Sequence, residues 1–194
     1  MQAGAERLTT AMKSLEAAFL IGVEGTTEIW LVRHGDCYEG MVDDPDPALS
    51  PAGRRQAQLL AARVKHLDRA AVYASPARRA LETAREIDPN PRVDERLMEM
   101  TFELNNENQI VFTETPQDVV KRMGALIDEI AEAHPGERVI AVCHAGVIVN
   151  YLADVLHLEP GALRLLPYYT SVNIVRALGD RRMVATLGDT GHLE

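Results

Sequence analysis

Arginine and histidine side chains follow the ends of three short apolar segments. The first segment ends in Arg33-His34-Gly35, the second leads into Ser75-Pro76-Ala77-Arg78-Arg79, and the third ends in Cys143-His144-Ala145-Gly146. A guanidinium group donates two parallel hydrogen bonds to phosphate oxygens. A neutral imidazole can attack phosphorus as a covalent nucleophile when one ring nitrogen is held as N–H. Two arginines and two histidines that meet at one place would therefore form a pocket for a tetrahedral dianion.

The elements that carry these residues must bring the segment ends together. Short β-rich runs alternate with helical patterns, which is typical of an α/β fold, and we expect a three-layer α/β/α sandwich around a mostly parallel central sheet. The predicted strands are 28–33, 71–74, 138–143, 171–178 and 183–187, and the predicted helices are 50–66, 75–87, 116–133 and one that follows Gly146. In such sheets, ligands bind outside the carboxyl ends of the strands. The Ser50-Pro51 and Ser75-Pro76 pairs each indicate a helix start, with a capping hydroxyl and a proline in the first turn.

An amphipathic helix is predicted before the first strand. Its apolar residues recur at steps of four, three and four, the spacing of one helix face: Leu8, Met12, Leu15 and Phe19. The pattern ends at Gly22 and Gly25, so we divide the chain into a helical extension at 1–25 and an α/β domain at 26–194. Packing of this face on the rest of the chain is the favoured interpretation. Self-association as a homodimer is the alternative.

Composition and charge exclude several classes of partner. Hydrophobic residues make up 46% of the 194 residues, which is typical of a globular protein. Twenty Lys and Arg face 29 Asp and Glu, and the net charge of −9 opposes non-specific binding to nucleic acid or to an anionic membrane. Cys37 and Cys143 are most simply reduced thiols of a cytoplasmic protein. The chain lacks the glycine-rich loops of dinucleotide and nucleoside triphosphate sites.

Five short motifs follow one another in a characteristic order along residues 28–190. They are Leu31-Val-Arg-His-Gly35, Asp46-Pro-Ala-Leu-Ser-Pro-Ala-Gly-Arg-Arg-Gln-Ala57, Ala74-Ser-Pro-Ala-Arg-Arg-Ala-Leu-Glu-Thr-Ala84, Leu97-Met-Glu99 and Val142-Cys-His-Ala-Gly-Val-Ile148. In this order they resemble the histidine phosphatase superfamily, also called phosphoglycerate mutase-like. The Arg-His-Gly tripeptide alone is weak evidence, whereas five motifs in order are hard to obtain by chance.

The resemblance implies a role for each candidate residue. His34 would attack the phosphoryl group in line and form a phosphohistidine that water later opens. Arg33, Arg79 and His144 would hold the phosphoryl oxygens and stabilise their charge during transfer. Glu99 would protonate the leaving oxygen, which requires a carboxyl group that is partly buried. The resemblance implies neither a metal nor another cofactor.

Several assignments have competitors in the sequence. Arg78 adjoins Arg79 and could take its place after a shift of one residue, although the spacing from Ser-Pro favours Arg79. Glu95 and Glu103 lie near Glu99, which could also be a surface carboxylate.

Two features of the segment after His34 also bear on the phosphate site. Gly40 stands where many members of the family place an asparagine that contacts phosphate. Asp43, Asp44 and Asp46 form either a solvated turn, which we favour, or a site for magnesium or calcium.

Hydrolysis of a small phosphorylated metabolite is the predicted activity. A mutase must exclude water from the phosphohistidine, and the short polar stretch at 105–112 offers little material for a lid. Phosphoglycerate mutase-type transfer is one alternative. The other is a non-catalytic relative that binds a phosphorylated ligand.

Overall fold

A computed structural model of the chain describes residues 2–37, 44–107 and 109–194, without the side chains of residues 2–8 and 104. The helices are α1 Gln2–Ala18, α2 Pro51–Val64, α3 Arg78–Ile87, α4 Pro116–Ala133 and α5 Ala145–Val155, with one 3-10 turn at Glu95–Leu97. The strands are β1 Thr27–Arg33, β2 Ala71–Ala74, β3 Arg92–Val93, β4 Phe102–Leu104, β5 Ile110–Phe112, β6 Arg138–Cys143, β7 Val172–Leu178 and β8 Arg181–Asp189. Among the described residues, no helix is long and apolar enough to cross a lipid bilayer.

Six strands form the central sheet in the order β3-β2-β6-β1-β7-β8. The pairs β3–β2, β2–β6 and β6–β1 are parallel, whereas β7 runs antiparallel to both of its neighbours. The carboxyl ends of β1, β2 and β6 therefore lie side by side at one edge of the sheet. The predicted mostly parallel α/β sheet is confirmed.

Side chains of each central strand alternate between two apolar cores. In β1, Ile29 and Leu31 pack in the core that contains α4 and α5, and Trp30 and Val32 pack in the core that contains α2 and α3. Strand β6 alternates in the same way. Parallel strands are normally buried on both faces because helices cover each face of the sheet. The sheet is therefore the middle of three layers.

Two of the predicted helix starts are formed as expected. The Ser50 hydroxyl accepts a hydrogen bond from the Gly53 N–H at the start of α2. At α4, the hydroxyl of Thr115 and the carboxylate of Asp118 form a reciprocal capping box.

The predicted start at Ser75-Pro76 is wrong. Helix α3 begins at Arg78, and Ala77 occupies the capping position. The Ser75 hydroxyl accepts from the Ala77 N–H over 3.3 Å, just before the helix, and its closer partner is the ring of His144, at 2.8 Å from Nε2.

The connection between α3 and α4 is more ordered than the sequence suggested. It contains β3, the 3-10 turn and a small hairpin of β4 and β5, none of which was predicted. These strands have two or three residues each, too few for an alternating pattern to be visible in the sequence.

The N-terminal helix is present, but the predicted packing of its apolar face on the rest of the chain is wrong. Met12, Leu15 and Phe19 are each about half exposed, at 49%, 54% and 53%. The helix is held at its C-terminal end, where Arg181 Nη2 donates hydrogen bonds to the last carbonyl groups and Leu20 is buried. The side chain of Leu8 lies outside the described residues. The division of the chain at residue 25 stays a prediction.

Candidate active site

The ends of β1, β6 and β2 carry three of the predicted site residues to one edge of the sheet. Arg33 is paired with Cys143 in the register of β1 and β6, and the His34 N–H extends this ladder to the Cys143 carbonyl. The Ser75 N–H donates to the Val142 carbonyl in the same way. These backbone bonds place His34, His144 and Ser75 next to one another.

The ring of His34 is fixed in one orientation and one tautomer. Its Nδ1 lies 2.7 Å from the carbonyl oxygen of Gly35, which can only accept, so Nδ1 carries the proton. Its Nε2 accepts a hydrogen bond of 3.3 Å from Arg79 Nε. The lone pair of Nε2 therefore faces the arginine that the sequence assigned to phosphate binding.

A single guanidinium group joins the two histidine rings, whose centres are 5.1 Å apart. Besides its bond to His34, Arg79 donates from Nη2 to Nδ1 of His144 over 3.2 Å. Arginine is always a donor, so Nδ1 of His144 must be an acceptor and its proton lies on Nε2. The two imidazoles thus hold opposite neutral tautomers.

Ser75 completes this network. Nε2 of His144 donates to the Ser75 hydroxyl oxygen over 2.8 Å, and the hydroxyl in turn donates to the sulfur of Met98. Sequence reasoning missed this function of Ser75. Its position directly after β2, at the edge that carries both histidines, was the signal that could have found it.

Burial keeps both rings neutral. His34 and His144 are 3% and 0% exposed. Burial, assisted by the Arg79 and Arg33 charges and opposed by the bond to Gly35, lowers the pKa of His34 from 6.5 to about 3. Burial, followed by the effects of His34 and Arg79, lowers the pKa of His144 well below its usual value. At neutral pH, Nε2 of His34 is consequently unprotonated, and its lone pair accepts the hydrogen bond from Arg79.

Arg33 lies beside this network and is bound by residues of the loop before β7. Its guanidinium carbon lies 4.1 Å from the centre of the Tyr169 ring, and Nη1 donates to the Pro167 carbonyl. The Tyr169 ring lies 6.1 Å from that of His34. Arg33 Nε has no hydrogen-bond partner among the described residues. The guanidinium group is therefore held in place by one carbonyl and one ring, and its charge acts on both histidines.

Glu99 is partly buried, as predicted, and is bound to the N-terminus of α5. Its carboxylate oxygens accept hydrogen bonds from the N–H groups of Met100, Gly146 and Val147, at 2.9 to 3.2 Å. A side chain on residue 146 would collide with this carboxylate, which explains the glycine there. Within the described part of the chain, Glu99 makes no hydrogen bond to either histidine. The alternative prediction, an exposed surface carboxylate, is therefore wrong.

A comparison with protein families matches this arrangement. The model of the histidine phosphatase superfamily, branch 1, matches residues 29–113 and 103–190, which is most of the chain. The chain belongs to the histidine phosphatase superfamily. Helix α1 lies outside the matched residues.

Relatives of this superfamily resemble the chain over most of its length. Phosphoglycerate mutase-like protein 4 of Arabidopsis thaliana is 28% identical, over 86% of this chain and 87% of the plant protein. The phosphoserine phosphatase of Entamoeba histolytica, solved with phosphoserine, has a TM-score of 0.74 at 22% identity and covers 87% of this chain and 100% of its own. The mycobacterial glucosyl-3-phosphoglycerate phosphatase, solved with VO3, has a TM-score of 0.68 at 22% identity and covers 82% and 98%. At these identities, the two solved structures support the shared fold.

The remaining histidine phosphatase motifs hold the turn after His34. Gln56 accepts a hydrogen bond from the Asp36 N–H, and Ser50 donates to the Asp36 carboxylate. The Thr83 hydroxyl accepts from the Gly35 N–H. The second motif, and Thr83 of the third, thus contribute to the site by fixing the backbone of the first.

Three further sequence predictions concern the loop after His34, the two cysteines and Arg78. Gly40 and Asp43 lie outside the described residues, and no group of three or more residues suited to a metal is found among those that are described. Cys37 and Cys143 are both buried, and burial raises the pKa of the Cys143 thiol. Arg78 turns away from the histidines and pairs with Glu82, so Arg79 is the arginine at the site.

Proposed function

We propose that the protein is a phosphoric monoester hydrolase that acts through a phosphohistidine on a small phosphorylated metabolite. One observation carries the proposal: the unprotonated Nε2 of His34 and the ring of His144 both contact one guanidinium group, that of Arg79. A nucleophile next to a planar donor for phosphate oxygens is what phosphoryl transfer needs, because catalysis of that reaction consists mainly of positioning and charge stabilisation.

The first chemical step is an in-line attack by His34. The phosphoryl group enters between His34 Nε2 and Arg79, and it takes over the donors that Arg79 gives to the two rings. The bond from Nε2 to phosphorus forms while the bond from phosphorus to the leaving oxygen breaks. Arg33 and Arg79 donate to the remaining oxygens, and His144 joins them when a monoanionic substrate transfers its proton to Nδ1. Glu99 supplies the proton that the leaving oxygen needs.

The second step returns the enzyme to its starting state. A water molecule attacks phosphorus, Glu99 takes up its proton, and the bond between phosphorus and Nε2 breaks with release of inorganic phosphate. The bond from His34 Nδ1 to the Gly35 carbonyl holds the ring in the tautomer that both steps require.

Hydrolysis is favoured over mutase transfer because the described chain between Glu99 and α4 offers little material to cover the site. The hairpin of β4 and β5 follows Glu99 directly, and each of its strands has three residues. Phe102, Ile110 and Phe112 of this hairpin are each half or more exposed. A hairpin of this size offers little material for the lid that a mutase needs to keep water from a phosphohistidine. Although the plant relative is named mutase-like, this hairpin argues for water as the acceptor.

The direct test is hydrolysis of para-nitrophenyl phosphate by the full chain and by His34→Ala. We expect release of inorganic phosphate by the wild type and its loss in the variant. His66→Ala is the matched control, because His66 is an exposed histidine after α2, and it should keep wild-type activity.

Each other outcome has a distinct meaning. Activity that survives in His34→Ala would show that the nucleophile is misassigned. Binding of phosphate by the wild type without hydrolysis of any phosphomonoester would favour the non-catalytic alternative. Conversion of 3-phosphoglycerate to 2-phosphoglycerate without phosphate release would favour a mutase.

A further inference from the structure

Helix α3, which carries Arg79, receives its N-terminal cap from a distant loop. The residue at the capping position, Ala77, has a methyl side chain that cannot accept a hydrogen bond. Asp46 supplies the acceptor instead, and both of its carboxylate oxygens lie within hydrogen-bond distance of the Arg78 N–H, at 2.9 and 3.1 Å. A carboxylate at a helix N-terminus is favourable for the helix dipole.

The same carboxylate also lies against the phosphate-binding arginine. Asp46 Oδ1 is 3.6 Å from Arg79 Nη1. The three nitrogens of this guanidinium are thus all engaged within the chain: Nε with His34, Nη2 with His144 and Nη1 with Asp46. The arginine is mostly buried, with 15% of its side chain exposed, whereas 52% of the Asp46 side chain is exposed. Asp46 therefore places a negative charge on the solvent side of Arg79.

We propose that Asp46 is a built-in competitor of phosphate at Arg79. Its carboxylate weakens the binding of inorganic phosphate, the product, and disfavours substrates with a second anionic group on the Asp46 side of the phosphoryl group. The substrate class that suits this site is a phosphomonoester whose organic part is neutral or cationic on that side. The inference rests on the proposed function, because it takes Arg79 as a phosphate ligand.

The size of the effect follows from Coulomb's law. An anion on Arg79 would have its phosphorus roughly 6 Å from the Asp46 carboxylate, since both contact one guanidinium group. For a dianion at the dielectric constant of water, appropriate to so exposed a carboxylate, repulsion at that distance corresponds to about a tenfold change in affinity.

The test is the affinity for inorganic phosphate, measured by calorimetry and as the inhibition constant in the hydrolysis assay. Asp46→Asn removes the charge but keeps an oxygen that can accept from the Arg78 N–H. We expect it to bind phosphate about tenfold more tightly than the wild type, with a KM that falls by a similar factor. Salt screens exposed charges, so the difference from the wild type should shrink at high ionic strength.

Two further variants separate charge from folding effects. Glu82→Gln removes an equal charge from α3, where Glu82 pairs with Arg78 and Arg54, and should leave phosphate affinity within about twofold of the wild type. Asp46→Ala loses both the charge and the cap, and its thermal unfolding should show a loss of stability that Asp46→Asn does not share.

An Asp46→Asn variant that binds phosphate no more tightly than Glu82→Gln would overturn the inference. So would a failure of all variants and the wild type to bind phosphate, because Arg79 would then not be a phosphate ligand. The proposed function is tested separately, by the loss of hydrolysis in His34→Ala. If Asp46→Asn binds phosphate more tightly but the wild type hydrolyses no phosphomonoester, the competition by Asp46 stands and the proposed hydrolase activity is rejected.

Discussion

Replacing Ser75 by alanine removes the acceptor that fixes the tautomer of His144. The ring is fully buried, and its Nε2–H would be left without the hydroxyl oxygen that now lies 2.8 Å away. The proton cannot simply move to Nδ1, because Arg79 already donates to that nitrogen. Either arrangement of His144 therefore leaves a buried donor without an acceptor.

The expected loss of stability follows from that unpaired donor. A buried donor without a partner costs about 1 to 3 kcal/mol, so we expect the free energy of unfolding to fall by about 2 kcal/mol. A ring that is free to turn also holds the phosphoryl oxygens less well, and we expect kcat/KM to fall by about 10- to 100-fold.

Urea unfolding and steady-state hydrolysis of para-nitrophenyl phosphate measure the two effects of Ser75→Ala. Ser171→Ala is the matched control, since Ser171 is a buried serine whose hydroxyl has no hydrogen-bond partner among the described residues. It should leave stability nearly unchanged or slightly increased. If both variants unfold at the same urea concentration and keep wild-type kcat/KM, the tautomer argument is refuted.

Three other perturbations test separate parts of the structure. Arg79→Lys should lower kcat/KM by about 10²- to 10³-fold, because a single ammonium group cannot replace the planar donors at both rings. The control Arg78→Lys should keep a kcat/KM near that of the wild type. Equal losses in the two variants would show that Arg79 matters no more for activity than Arg78. Below pH 6.5 the unfolded chain protonates His34 while the folded chain does not until about pH 3, so His34 alone should lower the free energy of unfolding by about 1.4 kcal/mol per pH unit on acidification. Urea titrations of the wild type and His34→Gln between about pH 4.5 and 7 check this, and identical pH slopes would contradict it. Because the apolar face of α1 is exposed, we expect the full chain to form a homodimer and a chain without residues 1–25 to be a monomer. Sedimentation analysis that finds a monomeric full chain would contradict this.

The edge of the sheet that carries the candidate site could be predicted from the sequence because each of its signals is local. The apolar run before Arg33 and the one before His144 are buried on both faces, which identifies them as central parallel strands. Parallel neighbours end at the same edge, so the residues that follow them must meet. The convergence of His34, Arg79 and His144 follows from this rule and from the order of the motifs.

Ser75 shows why the rest could not be predicted. Its local pattern is the same as that of Ser50, a serine followed by proline before a helical segment, and Ser50 does cap its helix. What distinguishes Ser75 is a hydrogen bond to His144, which lies 69 residues further along the chain. A contact over that separation leaves no trace in the neighbouring residues.

The exposed face of α1 was mispredicted for a related reason. The spacing of Met12, Leu15 and Phe19 identifies a face that is apolar, but it contains no information on what covers it. The helix is positioned by Arg181 and Leu20, neither of which lies on that spacing.

Gly53 has a consequence for the entropy of catalysis. A Cβ atom at this position would overlap the carbonyl oxygen of Asp36, so α2 and the turn after His34 touch through their backbones. Because no flexible side chain lies between the two backbones, the helix restricts the motion of the turn. His34, the proposed nucleophile, is therefore held in place once the chain folds, so this turn loses little further conformational entropy when a substrate binds.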